Sequence, residues 1–99
     1  MTIPKSIKIG GKWYKVVKTD KMKLGSVNYS AEIDYDEQVI RIVPGPKGNT
    51  EANLLHEIIH GILSHLGYSE HDEHLVKGLA NAIYMVISDN PGMFEEINK

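Results

Sequence analysis

The chain has no cysteine. Disulfides are excluded, and so is any zinc site built on thiolates. A metal held by this protein must be held by histidine, aspartate or glutamate. Long apolar runs are missing too: none approaches the roughly 18 residues of a membrane span. The first nine residues, Met1 to Ile9, lack the extended apolar core of a secretion signal. The expectation is a soluble, cytoplasmic protein with no membrane partner. Repeats and low-complexity segments are absent, and 99 residues are enough for one domain spanning residues 1–99. A domain of this size buries less than about 70% of its unfolded surface, so its stability margin is thin. A metal bound only to the native state would add directly to that margin.

Net charge is small, −2, but it is unevenly spread. Lys5, Lys8, Lys12, Lys15, Lys18, Lys21 and Lys23 face a single acid, Asp20, in the first 25 residues, whereas residues 51–99 hold eight acids against Lys77 and Lys99. We read the lysines as solvated strand positions, where they also deter edge-to-edge pairing. A basic surface for nucleic acid is the competing reading, with Trp13 and Tyr14 among the lysines.

The first half has the pattern of strands. Ser6–Ile9 and Lys12–Lys18 flank Gly10-Gly11, a dipeptide suited to a tight hairpin turn. Asn28–Asp34 and Gln38–Val43 form a second hairpin candidate, and Val39, Ile40, Ile42 and Val43 suit a pleated sheet. The run from Pro44 to Gly48 ends the strands. The second half has helical periodicity. Asn49 or Thr50 can cap a helix from about Glu51 to Leu66, with Leu54, Leu55, Ile58, Ile59, Ile62, Leu63 and Leu66 on its apolar face. Gly67 is a natural stop. Ser69 with Asp72 resembles a capping box opening a second helix that runs to about Ser88, with Leu75, Val76, Leu79, Ile83, Val86 and Ile87 inward. Asn90-Pro91-Gly92 ends it, and Met93, Phe94 and Ile97 are expected to form a short docking turn. Strands followed by helices predict an α+β fold: a small antiparallel sheet of two hairpins packed on an antiparallel helical pair.

Within the first helix, His56-Glu57-Ile58-Ile59-His60 reads H-E-x-x-H. Two histidines four apart on a helix stand about 5–6 Å apart at Cβ. Both can then hold one zinc ion at about 2.0–2.1 Å. Glu57 cannot share that face as a ligand and is placed as a general base towards a water activated by the metal. Catalytic zinc takes three protein ligands and one open position. Residues of antiparallel helices oppose one another when equally far from the turn, and His60 lies seven before Gly67. The third ligand is therefore expected near position 74, within His71-Asp72-Glu73-His74. Asp72 suits the cap. Glu73, at the edge of the apolar face, is our choice, although periodicity leaves His71 and His74 open. His65, within the apolar arc, is assigned to the core or an interface.

The stretches LLHEIIHGILSHLG (Leu54–Gly67) and HDEHLVKGLANAIYMVISDNP (His71–Pro91) resemble the zincin metallopeptidases. The likeness is to the small zincin-like proteins of phages and prophages of Gram-positive bacteria, minimal relatives of the ImmA/IrrE-type and SprT-like metallopeptidases. It covers the second half closely and the first half only in layout. The resemblance implies a zinc-dependent hydrolase of peptide bonds, with His56 and His60 as zinc ligands, Glu57 as general base and Glu73 as a gluzincin-type third ligand. It implies a protein or peptide substrate, with a DNA-associated regulator as the family's precedent. Related sequences often carry a second acid where this chain has Lys77, and many have a helix before the sheet that this chain lacks, which implies a shallow, open cleft. Zincins hold extended substrate against a sheet edge, for which Gln38–Val43 is the sequence-based candidate. Tyr29, Tyr35 and Tyr84 are candidates for steadying an oxyanion. The alternative is a zinc-stabilised interaction module that is weakly active or inactive.

Overall fold

A computed structural model describes residues 2–24, 30–46 and 49–93. The chain is α+β, with strands β1 (Ser6–Ile9), β2 (Lys12–Lys18), β3 (Ala31–Asp34) and β4 (Val39–Ile42) followed by helices α1 (Asn49–His65) and α2 (Glu73–Asp89). The expected positions Asn28, Tyr29, Phe94 and Ile97 lie outside the described residues.

Both hairpins form. β1 and β2 pair antiparallel around Gly10-Gly11, with Ile9 opposite Lys12, and β3 and β4 pair antiparallel with Ile33 opposite Ile40. The seam between the hairpins is parallel, Val16 standing beside Ile40, so the sheet is mixed, in the order β1-β2-β4-β3. That order revises one expectation. β4 is an interior strand, and the sheet edge beside the helices is β3. Closeness of β4 to α1 along the chain says nothing about which strand ends up outermost.

Strand side chains alternate between faces. Ile9, Tyr14, Ala31, Ile33, Ile40 and Ile42 form one buried layer under Leu54 of α1, with Ile40 and Ile42 fully buried. α1 contacts β1, β3 and β4. It can lie this low because Gly61 has no side chain: a Cβ there would sit 3.0 Å from Ile9 Cδ1 and 3.2 Å from Ile33 Cδ1. Neither Asn49 nor Thr50 caps the helix. Both lie within it, and the Thr50 hydroxyl accepts from Gly45 N–H.

α1 ends at Gly67, whose φ of +96° an L side chain rarely adopts. Tyr68 N–H donates to Leu63 O and Gly67 N–H to Ser64 O, the paired bonds of a Schellman stop. α2 is capped by Asp72 itself, whose carboxylate accepts from the N–H groups of His74 and Leu75. The expected box beginning at Ser69 therefore gives way to a direct Asp cap, which also suits the helix dipole. The helices run antiparallel: Glu73 at the start of α2 meets His60, and Tyr84 OH donates to Glu51 near the start of α1.

Among the described residues α2 packs on α1 and not on the sheet. Only a narrow stripe is therefore covered. Val76 and Ala80 are buried, with Tyr84 and Ile87 packed beside them, whereas Leu75, Leu79, Ile83 and Val86 stay exposed. The inward face predicted for α2 was too wide because it assumed two neighbours. Ile62 and Leu66 of α1 are exposed for the same reason. His65 is also exposed, its ring lying over Gly10 of the first hairpin turn rather than in a core. No described helix is long and apolar enough to cross a membrane.

Candidate metal centre

Four residues apart on α1, the rings of His56 and His60 stand with centroids 4.9 Å apart. Their Nε2 atoms are 3.2 Å from each other. Glu73, the first residue of α2, reaches across so that one carboxylate oxygen lies 3.0 Å from His56 Nε2 and the other 2.7 Å from His60 Nε2. A metal with bonds of about 2.0–2.1 Å separates tetrahedral ligand atoms by about 3.3 Å. The three side chains thus gather lone pairs at nearly that spacing. Among the described residues they form the one His/Asp/Glu group compact enough to hold an ion. Such a cluster fits a divalent cation, in place of the protons that would otherwise join the two imidazoles to the Glu73 oxygens.

The neighbours that periodicity left open fall elsewhere. Asp72 is the helix cap, His74 is exposed on the wall of the cleft, and His71 packs against the outer side of His60. Burial, reinforced by His56 and His71 and opposed by the Glu73 charge, holds His60 below the usual histidine range. That direction favours the neutral ring, the form a metal ligand needs.

Glu57 is only 7% exposed, yet it lines the cleft on both sides of the triad. Burial first, then the nearby charges of Glu73 and Glu32, push its carboxyl up to about 8. A divalent cation beside it would act in the opposite direction, favouring the carboxylate.

The cleft has two arms. One, of about 470 Å³, runs between the helices past Asn53, Lys77 and Asn81. Lys77, one turn beyond Glu73, gives this arm a positive charge. The other follows β3 past Ala31 and Ile33 to Tyr35 and Leu24. Of the tyrosines considered for an oxyanion, Tyr35 lines this arm, Tyr84 is engaged with Glu51 outside the cleft, and Tyr29 lies outside the described residues.

Sequence reasoning missed what holds β3 in place. Arg41, the only arginine in the chain, donates to Glu32 at 2.7 Å, to Asp34 at 3.2 Å and to Glu37 at 2.7 Å on the sheet face away from α1. Glu32 also accepts from Lys23 and Leu24 N–H, which ties Leu24 to the cleft edge. For Glu32, burial raises the carboxyl, but these hydrogen bonds and the Arg41 charge outweigh it and leave it below the ordinary value. The signal was present: a lone arginine between isoleucines, opposite acids at every second position of the partner strand.

The lysine-rich region remains apart from the cleft. Lys8 Nζ sits 5.8 Å from the ring centre of Trp13, itself 58% exposed, on strands β1 and β2. No family model, curated protein or solved structure matches this chain.

Proposed function

We propose that this chain is a zinc-dependent peptidase. The observation that carries the reading is the buried carboxyl of Glu57 opening onto the same cleft as the His56, His60 and Glu73 ligand atoms, beside β3, an edge strand among the described residues. Those three side chains would hold the metal. When bound, zinc would polarise the substrate carbonyl and lower the pKa of a water towards about 7.

The protein's own groups account for the rest. Glu57, as carboxylate, takes the proton of the attacking water and returns it to the leaving amine. Burial keeps bulk water from competing for that proton. Neutral His60 keeps its lone pair directed inward. β3 orients the substrate. Val43 N–H donates to Ser30 O across the hairpin. In an antiparallel pair inward-facing residues alternate, so Ala31 and Ile33 turn their N–H and C=O groups to the free edge. An extended peptide can pair there and lie across the cleft. Lys77 favours an acidic side chain in the interhelical arm. Protein or peptide is thus the substrate class, and a DNA-associated regulator falls within it.

The test is incubation of the zinc-loaded chain with a mixed peptide library, followed by mass spectrometry. Cleavage at defined bonds, stopped by a chelator and restored by zinc, is expected. A chain that holds zinc and cuts nothing would favour the second reading, a zinc-stabilised interaction module. The exposed row Leu75, Leu79 and Val86 on α2 is the observation on that side.

A further inference from the structure

His71 stands outside the His56–His60–Glu73 group yet touches it. Its Nδ1 is 2.6 Å from His60 Nδ1, and the two rings meet edge to edge, with centroids 4.9 Å apart and planes 25° from parallel. Its other nitrogen, Nε2, is 2.9 Å from the carbonyl oxygen of Tyr68.

These contacts fix where the protons sit. A carbonyl oxygen only accepts, so the Tyr68 contact requires a proton on His71 Nε2. In a neutral imidazole one nitrogen then donates and the other accepts. His71 Nδ1 is the acceptor, and the short approach requires N–H at His60 Nδ1. The Glu73 oxygen 2.7 Å from His60 Nε2 also only accepts, so without a metal that contact calls for a proton on Nε2 as well, in the place a cation would take. With the Nδ1 proton held by His71, Nε2, the atom facing His56 and Glu73, is the nitrogen that would give its lone pair to a cation taking that proton's place.

We propose that His71 is a positioning residue for the metal site, holding His60 in the Nδ1–H tautomer and in the plane that aims Nε2 at the ion. The inference rests on the metal reading above and deepens it. Metal-binding histidines are commonly steadied through their second nitrogen. What is particular to this chain is the device: an imidazole backed by the turn between the helices. Both ends of the relay are anchored. Tyr68 is fixed by its N–H bond to Leu63 O, and His71 directly precedes the Asp72 cap. An imidazole acceptor also adds no further negative charge beside Glu57 and Glu73, as a carboxylate in its place would.

The experiment is histidine ring-nitrogen NMR on uniformly 15N-labelled, zinc-loaded protein, with zinc affinities of two variants measured by chelator competition. His60 is expected to carry its proton on Nδ1 and His71 on Nε2, with coupling across the Nδ1–H···Nδ1 bond. His71→Phe is expected to weaken zinc binding about 10–100-fold. His71→Asn, which keeps an acceptor oxygen, is expected to restore most of that loss. A proton on His71 Nδ1 in the zinc-loaded wild type would overturn the proposal without recourse to any variant. So would unchanged zinc affinity in His71→Phe, or equal losses in both variants when their metal-free melting temperatures match the wild type. Wild-type protein that takes up no zinc would instead remove the metal reading, and the role of His71 with it.

Discussion

Glu57→Gln is expected to retain zinc while peptide hydrolysis falls by about 10²–10⁴-fold, the usual contribution of a positioned general base. Glutamine has nearly the same shape, so the ligand atoms of His56 and His60 should not move. A second effect, on stability, follows from the burial of the same side chain. In the metal-free protein the Glu57 carboxyl is raised from 4.5 to about 8. The folded state therefore keeps a proton that the unfolded chain releases. The stability that goes with the neutral carboxyl is fully present below about pH 4.5 and is lost as pH climbs through about 8, at up to about 1.4 kcal/mol per pH unit. His60, held below its ordinary value, gives a slope of the other sign, but one confined to below about pH 6.5. Denaturant melts of metal-free protein between pH 6.5 and 8 should therefore show the wild type losing stability and Glu57→Gln staying nearly level. Parallel curves would mean that Glu57 is solvated and the cleft does not exclude water. Unchanged hydrolysis in the variant would remove Glu57 from the mechanism.

The other large effect is expected from Arg41→Met. The guanidinium is nearly fully buried, and so are the Glu32 and Asp34 carboxylates that it joins. Removing it leaves two neighbouring, largely covered carboxylates with no cation between them, which destabilises the fold. Whole domains have only about 5–15 kcal/mol in hand, so the loss should be readable as a fall in urea midpoint. The same substitution in a Glu32→Gln, Asp34→Asn background should cost far less, because no buried charge is then left alone. The cluster also gives stability on the acid side. Glu32 and Asp34 are both held below their ordinary values, so their contribution is present above about pH 4–5 and lost as pH falls through their native values. Substrate binding should weaken with the fold, since Glu32 fixes Leu24 and lies between the two residues of β3 that face the free edge.

The local features were the legible ones. β1 and β2 begin and end where the alternation and the Gly10-Gly11 turn place them. Both helices fall within a few residues of the periodic pattern. The histidine spacing on α1, counted from the Gly67 stop, pointed to the stretch around position 74, and the edge of the apolar face singled out Glu73, which lies against His56 and His60. Non-local features were not readable. The parallel seam between β2 and β4 depends on how two finished hairpins meet, and each hairpin is equally satisfied by other orders. β4 was taken for an edge for this reason. The apolar row of α2 looked like a core face because sequence records hydrophobicity and not whether a second layer arrives to cover it. His71 was weighed only as a ligand, since its role depends on the direction of its second nitrogen. Arg41 was hidden among β-branched neighbours that pointed to the opposite face.

Metal analysis of the purified chain tests the central claim most directly, with the wild type set beside His56→Ala, His60→Ala, Glu73→Ala and, as a control, His74→Ala. One zinc per wild-type and His74→Ala chain is predicted after dialysis against micromolar zinc, with strong loss in each of the other three. A wild-type chain that retains no zinc, or a Glu73→Ala chain that retains it fully, would contradict the account.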